Sequence, residues 1–286
     1  MSPEIVLAIL NIVLAGIFGA IVGSFTNVCI YRIPEHRTIV KGHSMCMTCG
    51  HELGALDLVP IFSWLFLGGK CRYCKTPISS RYIKIESLTA LAYMIMAASH
   101  LALFLDPMDP SKNVFPFIEL CALFIMINIV IVEMMIMKDT GSSMYVMTVA
   151  LGIDYLVQDL AKVLNVATGN SSDSLSSLFR SISIRFFGGA IIGLLAVILS
   201  VLLVRGGISI RSYLQDKDQK ALRTSDLFAI ALCAAIGLIP AIVAATVYLI
   251  ARLLIKNSNR IKYLGTVLAA GAAIGYYAYA FYQLAT

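Results

Sequence analysis

Charge is what this chain has least of. Only 13% of its 286 residues are Asp, Glu, Lys or Arg and 59% are hydrophobic, where a soluble domain has about 25% and 45–50%. That balance excludes a water-soluble globule and reads as a polytopic membrane protein set in a lipid bilayer. Acids are the scarcer sign, 16 against 22 Lys and Arg, for a net charge of +6. The surplus does not describe a nucleic-acid surface, because the basic residues gather in short loops between apolar runs, as the positive-inside rule predicts. No internal repeat is present and intramembrane charges are few, which argues against a transporter or channel. Of the seven cysteines, Cys29, Cys121 and Cys233 stand singly in apolar stretches and the others form two close pairs, so a secreted disulfide scaffold is not expected.

What remains is long apolar runs. Spanning a bilayer takes roughly 20 residues of helix, and residues 5–30, 85–105, 115–137, 144–164, 186–204 and 263–284 each supply such a run. Residues 226–255 are too many for one simple span and carry Gly237 and Pro240 near the middle; they read as two short helices. The expectation is an all-α membrane protein of about eight transmembrane helices. Positive charges follow the first run rather than precede it, so that run is read as a retained helix and not a cleaved signal. Basic loops follow the first, fifth and seventh spans, and all three face the cytoplasm if the N-terminus lies outside. The loop around 169–177 (GNSSDSLSS) reads as mobile.

Residues 32–84 differ in kind, with Lys or Arg at 32, 37, 41, 70, 72, 75, 81 and 84 and turn residues throughout. They form a small cytoplasmic insert between a first transmembrane helix (1–31) and a larger helical domain (85–286). Within the insert, Cys46-Met-Thr-Cys49 and Cys71-Arg-Tyr-Cys74 are two CxxC pairs. Each such turn aims two thiolates at one ion, and two turns complete a tetrahedron at a spacing close to that of four-thiolate zinc sites. Zn2+ held this way is structural, since sulfur fills all positions and none is left for substrate. His43 and His51 flank the first pair and read as solvated or supporting groups.

The stretch Gly23-Ser-Phe-Thr-Asn-Val-Cys-Ile-Tyr-Arg-Ile-Pro34 resembles the GSFxNVxIYRxP signature of type IV prepilin peptidases. Cys49-Gly-His, Asp57-Leu-Val-Pro60, Ser63-Trp64, Gly69-Lys-Cys-Arg72, Cys74, Pro77-Ile-Ser79, Arg81-Tyr82 and Glu86 continue the match in order, with Ile83 in place of a usual proline. The likeness is specific over roughly residues 19–90 and afterwards rests mainly on helix order. It implies a bifunctional enzyme of the prokaryotic inner or plasma membrane, with zinc insert and active site cytoplasmic. Such an enzyme cleaves the basic leader from type IV prepilins or pseudopilins and methylates the new N-terminal amine with S-adenosylmethionine. No glycine-rich methyl-donor loop is visible, so the cofactor's residues stay unknown.

The family's peptidase uses two aspartates from different helices. Two carboxylates a few ångströms apart do not both ionise, so one serves as general base on water while its protonated partner polarises the peptide carbonyl. Arg223-Thr-Ser-Asp226 aligns with the family's GxGD motif, which opens a helix, and places Asp226 at the aspartate's position. The first acid is Glu133, in the apolar run Val130-Ile-Val-Glu-Met-Met-Ile-Met-Lys-Asp139, or Asp139. Intramembrane acids are costly and read as functional by default; the bland alternative makes Glu133 a helix-end acid at headgroup level and Asp139 a solvated loop acid. Both motifs depart from the pattern, with Arg223 and Ser225 for glycines, Phe228 for a lysine, and no proline between 131 and 139. These departures keep open a catalytically degenerate homologue that binds prepilins as an assembly factor or only methylates. Asp154, in the fourth run, is a further intramembrane acid.

Overall fold

The computed structural model describes residues 3–100, 110–140, 144–168, 174–205, 220–236 and 238–254, with Val267, Gly271, Ala272 and Gly275. The chain divides into two compact units, Met1–Pro110 and Ser111–Thr286. Among the described residues there are helices and two isolated β-bridges but no strand, as an all-α membrane protein requires.

The first unit is built on two helices, α1 (Pro3–Arg32) and α3 (Arg81–Ser99), with the insert and its short helix α2 (Phe62–Phe66) between them. The signature residues of α1 explain its packing. A Cβ added at Gly23 would lie 2.8 Å from the Glu86 Cα, and one at Gly19 would lie 2.9 Å from the Ala90 Cα. Only glycine lets the two backbones come this close, the usual device where lipid removes any hydrophobic drive between helices. One turn on, the buried Asn27 amide donates to the Gly23 and Tyr82 carbonyls at 3.3 and 3.4 Å. Tyr31 stacks on Tyr82 with ring centroids 6.0 Å apart, and the Arg81 guanidinium sits 5.3 Å above the Tyr31 ring. Arg32 then donates to the Thr38 and Lys41 carbonyls at 3.1 and 2.9 Å, fastening the chain as it leaves the helix.

The second unit holds α4 (Pro110–Thr140), α5 (Tyr145–Ala167), α6 (Leu175–Arg205), α7 (Lys220–Ile236) and α8 (Leu238–Leu254). α6, α7 and α8 pack on one another, and α5 lies against α6 and α7. Glycine again sets the approach: a Cβ at Gly189 of α6 would stand 2.2 Å from the Cys233 carbonyl oxygen of α7. α4 is tied to α5 by the Glu119–Lys162 ion pair at 3.0 Å and by Gln158 against the Met126 sulfur.

Among the described residues three helical stretches are long and apolar enough to cross a membrane, Ile5–Arg32, Val114–Thr140 and Ser176–Leu199, and Asp226–Ile236 and Pro240–Ala251 are shorter apolar helices. The expected division of 226–255 falls between Ile236 and Leu238, with Pro240 in the first turn of α8, where its missing N–H has no helical partner to lose. α6 starts at Leu175, well before the apolar run at 186, because Ser and Arg prolong a helix that hydropathy alone does not register. The eighth run, 263–284, lies outside the described residues except for the four single positions. Most of the loop at 169–177 and of the basic loops after the fifth and seventh spans lies outside them too.

Candidate functional site

Both CxxC segments fold into the same turn. In the first, the Cys46 N–H donates to the His51 carbonyl at 2.9 Å and the Gly50 N–H to the Cys46 carbonyl at 2.8 Å. In the second, the Cys71 N–H donates to the Thr76 carbonyl at 2.9 Å and the Lys75 N–H to the Cys71 carbonyl at 3.0 Å. The residue after each second cysteine is left-handed, Gly50 at φ +69° and Lys75 at φ +61°. Glycine meets that demand without strain in the first turn, and Lys75 tolerates it in the second.

The two turns bring the sulfurs of Cys46, Cys49, Cys71 and Cys74 within 4.8 Å of one another, with Cys46 and Cys74 3.8 Å apart. All four are free thiols. A tetrahedral ion with metal–sulfur bonds of about 2.3 Å has sulfur–sulfur edges of about 3.8 Å, so the cage has the size zinc requires. Its electrostatics agree. Backbone N–H groups of Cys49 and Thr48 hold the Cys46 thiol below its usual value, and the Thr76 hydroxyl and N–H bring Cys74 down to about 6. Cys49 has the His51 N–H in its favour, yet burial and the neighbouring Cys74 and Cys46 sulfurs push it up to about 11. Four thiolates cannot share this volume unless a cation sits among them.

The cage is braced from outside. Asp57 accepts from the Arg72 Nε at 2.5 Å, the Gly54 N–H at 3.1 Å and the Tyr73 hydroxyl at 3.1 Å, so one carboxylate grips the second turn and the loop before it. The Arg72 guanidinium, followed by the Gly54 N–H and Tyr73, holds the Asp57 carboxyl below the usual carboxylate value. His51 lies on the Tyr73 ring, centroids 3.5 Å apart, and joins the two turns. His43 pairs with Glu52 at 2.6 Å. Neither histidine belongs to the sulfur cluster.

The acids of the second unit separate by burial. Glu133 is 0% exposed, between buried Val132 and Met135. Its two oxygens accept the Met144 N–H at 3.2 and 3.4 Å, so α4 caps the start of α5. A solvated helix-end acid at headgroup level does not have this environment. Asp139 is exposed near the end of α4. Asp226 is 3% exposed. α7 begins at Lys220, so Asp226 sits past its first turn and does not open the helix as the motif suggested. Asp154 is buried and accepts from Gln158, one turn along the same helix, at 2.8 Å.

One partner escaped the reading of the sequence. The Tyr248 hydroxyl of α8 donates to Asp226 Oδ1, and both side chains are buried. The signal available was a phenol inside an otherwise apolar helix, which needs a hydrogen-bond partner when buried. Glu86 was read only as part of the signature; it accepts the Ile61 N–H at 2.7 Å and anchors the start of α2 to α3.

Residues 17–100 match the family described as the bacterial peptidase A24 N-terminal domain. The chain is similar to curated proteins named prepilin leader peptidase/N-methyltransferase. With that of Myxococcus xanthus it shares 46% identity over 77 residues, 27% of this chain and 23% of the relative. With that of Dichelobacter nodosus it shares 34% over 124 residues, 34% and 43% of the two chains, and with that of Vibrio cholerae 34% over 131 residues, 43% and 47%. The chain thus spans less than half the length of each of these relatives. No solved structure matches it. The signature of α1 and the four-cysteine insert both fall within residues 17–100, the stretch over which the chain resembles the bacterial peptidase A24 N-terminal domain.

Proposed function

We propose that this protein is a prepilin leader peptidase that also methylates the new N-terminus, with zinc folding the insert and a Glu133/Asp226 pair doing the hydrolysis. The observation that carries the reading is that, among the buried acids of the second unit, Glu133 at 0% and Asp226 at 3% exposure come from separate helices, and Asp226 stands at the aspartate of the family's GxGD motif. An acid kept from water and lipid alike has to be satisfied by protein groups, and each has one: the Met144 N–H for Glu133 and the Tyr248 hydroxyl for Asp226. The Tyr248 hydroxyl holds the Asp226 carboxyl in place by its hydrogen bond. Asp226 then takes a proton from the attacking water, and Glu133, carrying the shared proton, polarises the scissile carbonyl and returns a proton to the leaving amine.

Cys46, Cys49, Cys71 and Cys74 hold Zn2+ in a purely structural role. S-adenosylmethionine supplies the methyl group for the second step; no residue is assigned to hold it. The substrates are type IV prepilins or pseudopilins inserted in the inner membrane, with their leaders on the cytoplasmic side.

A second reading is a homologue without proteolysis that binds prepilins as an assembly factor or only methylates them. Phe228 favours it, since this side chain, standing where the family has lysine, is 2% exposed and buries apolar surface where the family places a charge.

The test is a mass spectrum of a cognate prepilin incubated with membranes carrying wild type, Glu133→Gln or Asp226→Asn, with S-adenosylmethionine present. Leader loss with wild type and retention with both variants establishes the pair, and a further gain of about 14 Da, one methyl group, shows the transfer step. Retention of the leader with wild type, zinc bound and protein inserted, removes the peptidase reading in favour of the second.

A further inference from the structure

The insert carries a cluster of large apolar side chains that its own fold leaves uncovered. Leu56, Leu58, Phe62, Leu65 and Phe66 are all exposed, Phe66 at 86%, although α2 is followed directly by the metal cage. An apolar cluster of this kind marks an interaction surface.

Its position says what covers it. The insert leaves α1 at Arg32 and returns at Arg81, so it stays at one face of the membrane. α2 does not stand off that face, because the Ile61 N–H is bonded to the Glu86 carboxylate at 2.7 Å. Glu86 in turn packs on Gly23 of α1. Gly23 lies about 13 Å along the axis from the end of α1, counted at 1.5 Å per residue. The membrane-crossing part of α1, Ile5–Arg32, has 28 residues, about 42 Å of helix, which equals a bilayer with both headgroup layers included. A point about 13 Å in from its end is therefore at or below the headgroup layer.

The backbone is bent to hold α2 there. Ile61 has φ +64°, a conformation a β-branched residue adopts only when its surroundings impose it. α1 itself presents exposed Ile17, Ile21 and Phe25, as a surface facing acyl chains does.

We propose that α2 and the segment leading into it form a membrane-interface anchor, with Phe62, Leu65 and Phe66 inserted among the upper acyl chains of the bilayer. This anchor fixes the metal-bearing insert against the membrane surface, independently of how the acids of the second unit act. It is an interfacial element of the kind that lies in the membrane plane rather than across it.

The protein carries its own reporter, since Trp64, its only tryptophan, lies within α2. Its indole is fixed by a hydrogen bond to the Ile78 carbonyl at 3.2 Å. Purified full-length protein is reconstituted into phosphatidylcholine/phosphatidylglycerol vesicles whose acyl chains carry bromine either near the headgroup or near the chain end, and Trp64 emission is recorded. The expected result is loss of emission with brominated lipid, greater for bromine near the headgroup, and little loss with aqueous acrylamide. Quenching by acrylamide without quenching by lipid would place α2 in water and overturn the proposal. Indifference to both would mean that protein, such as a second copy, covers the patch, and would overturn it equally. A Phe62→Ser, Leu65→Ser, Phe66→Ser variant should lose the lipid quenching and gain acrylamide access while keeping its bound zinc; if it does not fold, the wild-type measurement still decides.

Discussion

Removing zinc should unfold the insert and leave α1 and α3 intact. Between residues 33 and 80 only Gly69 and Cys71 are buried, so the insert has no apolar core to stabilise it. Ordering backbone costs on the order of 1–2 kcal/mol per residue and a hydrogen bond returns about 1 kcal/mol net, so the bonds of the two turns do not offset the ordering of their own residues. A structural zinc site contributes about 10–16 kcal/mol, the largest single term open to the insert. The assay is hydrogen exchange read by mass spectrometry on reconstituted protein, before and after a chelator strips the metal, with metal content measured in parallel. Amides of Gly50, Cys71, Lys75 and Thr76 should lose protection together, while those of residues 86–97 in α3 keep theirs. Cys71→Ser should give the same pattern without chelator. Protection surviving in both turns after complete loss of metal would refute the reasoning, because it would require a source of stability that these residues do not contain.

Three further outcomes follow from the geometry. Tyr248→Phe removes a hydroxyl donated to a buried carboxylate, worth about 1.5–3 kcal/mol, and should slow leader cleavage about ten- to a hundredfold in a timed mass-spectrometric assay with membrane insertion unchanged; an unaltered rate would separate Tyr248 from the chemistry. Gly189→Ala puts a Cβ into the Cys233 carbonyl, forcing α6 and α7 apart at a cost of about 1–3 kcal/mol or more, and should lower the thermal midpoint in detergent, whereas the same change at Gly152, which has nothing near it, should not. Asp57 has a depressed folded value, so its contribution to the insert is complete above the unfolded value of about 3.9 and is lost as pH falls through the lower folded one. NMR titration of the carboxyl should show this depression and its return toward about 3.9 in Arg72→Met, with only a small stability change because Arg72 is half exposed.

The division between what was legible in the chain and what was not follows the range of the interactions. Cys46, Cys49, Cys71 and Cys74 could be read directly, since each ligand pair lies within one turn and the spacing itself encodes that turn. The break in the run 226–255 was legible for the same reason, because Gly237 and Pro240 act on their own backbone. Glu133 and Asp226 stood out by the cost of a carboxylate in an apolar run. Their surroundings did not: the Met144 N–H and the Tyr248 hydroxyl come from neighbouring helices, and in a membrane protein lipid-facing and core-facing positions are equally apolar, so periodicity names no partner. The start of α6 at Leu175 was missed because hydropathy measures solubility in lipid and not helicity. The sequence by itself determined the class of protein, the four-cysteine cluster and the candidate acids, all set by composition or local spacing. Only the tertiary structure decided that Glu133 is buried and Asp139 exposed, that Tyr248 serves Asp226, and that Glu86 holds α2 at the level of Gly23, because each depends on which helix faces lie together.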